Sequence, residues 1–186
     1  MVKPLKKERW NDLLDQFVKT FPILDDLIAW DTDPLALELA SGEPDDFGYK
    51  HWRPKRCDTD QSDIEKLRAH FPVRLPPLYE LLLCSYRWAE VEEITRDHFL
   101  SKALASAGYI QFGKVGGGGY DPICFDTRSR KKTQDCRVVK VDHEEILCHD
   151  RVRVLCELES SFEELVLQTI AKAERVSAAA KERESI

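Results

Sequence analysis

The chain has 186 residues, 42% of them hydrophobic and 33% charged, which excludes a disordered segment and suits one domain with a substantial core. Its 28 Lys and Arg against 34 Asp and Glu leave a net charge of −6. That excludes a general nucleic-acid binder, whose phosphate contacts need clustered cations, and suits a basic partner.

The start, MVKPLKKERWNDLL, is basic but never reaches the apolar run of a secretory signal. No stretch approaches the roughly 20 apolar residues of a membrane span. The cytoplasm is therefore the expected compartment, with no membrane partner.

Residues 1–60 read as a helical N-terminal extension. Trp10, Leu13, Leu14, Phe17 and Val18 fall on one face at helical spacing. Pro22 is expected to bend or stop that helix. Ile23, Leu24, Leu27 and Ile28 form a second apolar set, and Pro34 opens a short helix through Leu39. From Thr20 to Tyr49 there is no Lys or Arg, while Asp25, Asp26, Asp31, Asp33, Glu38, Glu43, Asp45 and Asp46 accumulate. YKHWRPKRCDTDQ, residues 49–61, reads as a loop.

Ser62 and Glu65 then make a candidate capping box. Pro76 and Pro77 start the helix LYELLLCSYRW, because proline is tolerated in a first turn. DHFLSKALASA is a further short helix, with Gly108 placed as its C-terminal cap.

The character changes after Gly108. YIQFGKV, GYDPICFDT, CRVVKV and VRVLCEL are short β-branched or aromatic runs divided by turn residues, and they predict an antiparallel sheet. RSRKKTQD is a polar hairpin connection. A helix capped by Ser160 or Ser161 closes the chain, with Phe162, Leu165, Val166, Thr169, Ile170, Ala173 and Val176 on one face. Residues 177–186 read as a frayed tail. Helices, then strands, then a helix indicate an α+β fold: a mostly antiparallel central sheet flanked by helices.

Six cysteines, at 57, 84, 124, 136, 148 and 156, invite a disulfide framework, but the chain is neither small nor visibly secreted. Cys84, Cys124 and Cys156 lie in apolar runs and read as free, buried thiols. No CxxC pair is present, so a structural zinc site is not expected among Cys136, His143, Cys148 and His149. The glycine run at 116–119 lacks the Lys-Ser or Lys-Thr of a phosphate loop and leads into a strand, so it reads as a turn. No metal or other cofactor is expected.

The order RLPPLYELLLCSYRW, YIQFGKVGGGGYDPICFD, VVKVDHEEI and SSFEELV, over roughly residues 62–170, resembles the SUKH superfamily, the Smi/Knr-like proteins and their bacterial relatives. Cys84-Ser85-Tyr86-Arg87 stands where that family usually has Asn-Gly. The resemblance implies a sheet of about six strands flanked by helices, here as a single 1–186 domain with its core at 62–170. It implies a non-enzymatic protein binder, with many relatives acting as immunity proteins that each occlude a particular toxin; the acidic residues suit a toxin with a basic surface, such as a nuclease. Other relatives are regulators or scaffolds with no toxin partner.

The candidate partner-binding residues are the acids Asp31, Asp33, Asp45 and Asp46, and Trp52, an aromatic beside charge. Tyr109 and Tyr120 join them, with Gly117 and Gly118 of the glycine turn between. Asp121 follows, and then Asp142, His143 and Glu144, which together with Glu145 read as a turn after the third strand. A rival reading makes Asp121, Asp126 and His143 the acid–base groups of a hydrolase. Another makes the glycine turn a small-ligand sensor.

Overall fold

A computed structural model describes residues 4–24, 28–30, 39–43, 46, 49–57, 62, 65, 69, 75–87, 99–114, 120–128 and 135–184. The fold is α+β. The chain divides into two compact units, one of residues 1–55 with 166–186 and the other of residues 56–165.

In the first unit, helix α1 (Pro4–Leu24) buries Trp10, Leu13, Leu14 and Phe17, the apolar stripe read from spacing. The helix runs two residues past Pro22. In the last turn proline forfeits one hydrogen bond rather than breaking a ladder. Strands β1 (Ile28–Trp30), β2 (Ala40–Ser41) and β3 (Tyr49–Trp52) form an antiparallel sheet in the order β1-β3-β2. The register is Trp30↔Tyr49 and Ala40↔Trp52. This corrects the helical extension: its second half holds strands, and Trp52 ends a strand rather than lying in a loop. Strand β4 (Lys55–Arg56) also falls inside that expected loop.

In the second unit, α2 (Pro77–Ser85) starts behind Pro76, as expected, and its chain leaves into the two-residue strand β5 (Tyr86–Arg87). Helix α3 (Phe99–Ser106) ends at Gly108, whose φ of 84° is the left-handed conformation of a helix C-terminal cap. The four expected strands form: β6 (Tyr109–Lys114), β7 (Pro122–Asp126), β8 (Arg137–Val141) and β9 (Val154–Glu159). They pair antiparallel in the order β6-β7-β8-β9. Among the described residues this sheet has four strands, and β4 and β5 pair in a separate two-stranded sheet.

One departure matters for the site. HEEILCH is a helix, α4 (His143–His149), and not a turn. Asp142 is its N-cap, accepting from the backbone N–H groups of Glu144 and Glu145. Glu144 and Glu145 suit the positive end of the helix.

Pairing puts Cys124 opposite Val139 on one face of the sheet and Phe125 opposite Val138 on the other. The first face packs with Leu104 of α3 and Ile146 of α4, together with Tyr109 and Val141. The second meets an aromatic cluster. Phe112 and Phe125 stack at 4.1 Å, and Tyr79 and Phe162 stand edge-on to Phe125 at 5.1 and 5.7 Å. Helices therefore cover both faces. Burial in the apolar face pushes the Cys124 thiol far up, so it stays protonated.

The last helix, α5 (Phe162–Glu184), is capped by Ser161, whose hydroxyl accepts from the backbone N–H of Glu164 at 3.0 Å. Phe162, Val166 and Ala173 are buried as the spacing predicts, but Val176 is exposed. The tail read as frayed is helical to Glu184, with Lys181 and Arg183 favourable at its negative end. None of the six cysteines forms a disulfide. Cys156 is exposed rather than buried, because β9 is the last strand of its sheet.

Candidate functional site

Two polar networks flank the sheet, at opposite ends of β7. Asp126 lies five positions after Asp121, which spans about 17 Å of extended chain. The three groups of the hydrolase reading are therefore not assembled: His143 joins Asp121, and Asp126 lies at the far end.

Asp126 is 2% exposed. Its carboxylate accepts from Arg128 at 3.0 and 3.1 Å and from Arg137 at 2.8 Å. The hydrogen-bonded Arg128 guanidinium holds its carboxyl below the usual carboxylate range, against a burial that raises it. Arg128 also lies 4.4 Å over the ring of Tyr109, a cation–π contact. Tyr109 is 3% exposed and belongs to the core. Burial pushes its phenol up. This corrects Tyr109 as a partner-binding residue, since no ligand reaches it.

The other network lies where β7 begins and α4 starts. Asp121 accepts from His143 Nδ1 at 2.8 Å, from the His143 backbone N–H at 3.3 Å, and from Lys140 at 3.1 Å. Burial pushes the Asp121 carboxyl up, but the hydrogen bonds from His143 and Lys140 outweigh it and hold it below the usual range. The contact through Nδ1 orients the imidazole and turns Nε2 away from the carboxylate. Tyr120, 71% exposed, sets its ring 5.7 Å from that of His143. Glu144 is exposed beside it on the first turn of α4.

Asp142 is a correction of a second kind. It is only 9% exposed, caps α4 and pairs with Arg153. Its oxygens serve the helix terminus and not a partner. Burial raises its carboxyl, and the Glu145 N–H with Arg153 outweighs that.

Ligand atoms of Asp121, Asp142 and His143 lie within 4.8 Å of one another, the one such group among the described residues. A cation there would have to displace Lys140 from Asp121 and Arg153 from Asp142. The donor set therefore fits a closed network better than a metal centre.

Of the remaining expected residues, Asp46 sits in an exposed turn. Trp52 is placed by its strand alone. Asp31, Asp33, Asp45, Gly117 and Gly118 lie outside the described residues. Sequence reasoning missed Lys140 and Arg153. A lysine inside the β-branched run RVVKV was the available signal, because a charge in a strand that lines a core needs a partner.

No helix of the described residues is long and apolar enough to cross a membrane. No family model, no curated protein and no solved structure matches the chain.

Proposed function

We propose that the chain is a non-enzymatic protein-binding domain, a cytoplasmic immunity protein that neutralises a cognate toxin by covering its active site. The supporting observation is Tyr120. It is a 71% exposed aromatic side chain set beside an imidazole that Asp121 and Lys140 hold in place. A rigid network under an exposed aromatic anchor is the arrangement of an interface centre, since little conformational entropy remains to be lost on binding. Glu144 and the net charge of −6 favour a basic partner surface, as on a nuclease. The toxin role comes from the SUKH resemblance.

The test pairs the chain with the protein encoded directly upstream of its gene. The expected result is protection of growth when the two are co-expressed, and a complex that weakens as salt rises. Tyr120→Ala is expected to weaken that complex about 10-fold or more. Failure to protect growth overturns the immunity reading. A complex with a harmless protein moves the reading to a regulator or scaffold. Turnover that survives Tyr120→Ala but dies with His143→Ala overturns protein binding in favour of catalysis.

A further inference from the structure

Helix α4 turns one side to the sheet and the other to solvent. Ile146 is its buried contact with the core, while Glu144, Leu147 and Cys148 are exposed. A single exposed leucine is ordinary on a protein surface. What sets Leu147 apart is its neighbours. It follows His143 by four residues, so the two side chains are adjacent on the helix surface. A helical leucine leans back over the preceding turn, which carries it towards His143. The ring of Tyr120 lies 5.7 Å from that of His143. Tyr120, His143 and Leu147 therefore make one aromatic and apolar stripe, whose two ends are 71% and 52% exposed.

The charges around this stripe have a definite sign. Lys140 pairs with Asp121, Arg151 with Glu145, and Arg153 with Asp142. These six cancel one another. Glu144, on the first turn of α4, and Asp150, directly after its last, are exposed and make no ion pair among the described residues. The surplus of fixed charge around α4 is therefore two carboxylates, one on either side of Leu147 in sequence. An apolar stripe between unpaired carboxylates fits a partner that offers the inverse.

We infer that the partner protein docks along the outward face of α4, with Leu147 as a second anchor beside Tyr120, and that it meets this face with an apolar side chain flanked by lysine or arginine. The inference rests on the protein-binding reading above and extends it from one residue to a helix face. Two exposed cysteines supply a footprint of that face. Cys148 adjoins Leu147 on α4. Cys156 is opposite Lys140, which shares a sheet face with Val138, whereas α4 packs on the face of Val139 and Val141. A partner seated on α4 covers the first thiol and not the second.

The test labels the full chain with iodoacetamide, alone and with the protein encoded directly upstream of its gene, and reads each cysteine by peptide mass spectrometry. The bound partner is expected to slow labelling of Cys148 and to leave that of Cys156 unchanged. Leu147→Ala is expected to weaken the complex about 10-fold or more, with an unchanged circular dichroism spectrum. Glu144→Gln combined with Asp150→Asn removes both carboxylates, and asparagine accepts the φ of 49° at position 150. That variant is expected to associate more slowly and with a flatter dependence on salt. Unchanged binding by Leu147→Ala, or Cys148 labelling at its free rate within the complex, overturns the α4 face. Where Tyr120→Ala still weakens that complex, the protein-binding reading stands. An unchanged salt dependence in the charge variant overturns the basic partner. Absence of any complex overturns the proposed partner and this inference with it.

Discussion

Asp126 shows what a buried carboxylate needs. Its side chain is almost fully buried, and its two oxygens are met by two arginines. Removing the charge while keeping the shape, as Asp126→Asn, leaves Arg128 and Arg137 to resolvate, which they do in part because both are about half exposed. The expected loss is about 2 kcal/mol at neutral pH, less than for a fully buried pair. The folded carboxyl sits below its unfolded value of about 3.9, so the stabilisation is complete above that pH and disappears as pH falls through the folded value. Urea unfolding at pH 7 and at pH 3 therefore gives a gap between wild type and Asp126→Asn that shrinks at the lower pH. A gap that does not change would mean that charge is not what Asp126 contributes.

At the level of elements, the same carboxylate governs the turn between α3 and β6. A Cβ at Gly108 would stand 2.6 Å from Arg128 Cγ, and φ there is 84°. Gly108→Ala therefore meets both backbone strain and a side chain pinned by Asp126 and Tyr109. A cost of about 1–3 kcal/mol is expected, and less in the Asp126→Asn background, where Arg128 can swing away. A double-mutant cycle by denaturant unfolding reads this coupling, and strict additivity would sink it. Gly108 was legible as a cap because it follows a periodic run. The four long strands and the buried stripes of α1 and α5 were legible for the same reason, since their periods persist over several residues. Strands β1 to β3 were not, because two to four residues display no alternation. Helix α4 was hidden by length: seven residues give two turns, and Asp142 with Glu144 and Glu145 signals a helix start as well as a turn. At the site, Tyr120, Asp121 and His143 were foreseeable as types of residue, but their separation was not. Lys140, Arg153 and the burial of Tyr109 depend on pairing register, which no local pattern reveals.

For the molecule as a whole, the question is whether binding and folding reside in different atoms. Phe125 is fully buried at the centre of the aromatic cluster, and Tyr120 stands in solvent five residues earlier. Phe125→Ala removes a ring that the rings of Tyr79, Phe112 and Phe162 cannot refill and is expected to cost about 3–5 kcal/mol, a large part of the 5–15 kcal/mol that holds a domain folded. Its apparent affinity for a partner should fall only by the fraction of molecules unfolded, and cooling or stabilising solutes should restore it. Tyr120→Ala should do the reverse: a melting temperature within a degree or two of wild type, because little area is buried there, and an affinity loss that no stabilising condition repairs. Paired melting curves and titrations at two temperatures separate the two. If Tyr120→Ala lowered the melting temperature as much as Phe125→Ala, the residue would be part of the core and the exposed surface at the start of β7 would lose its claim to be an interface.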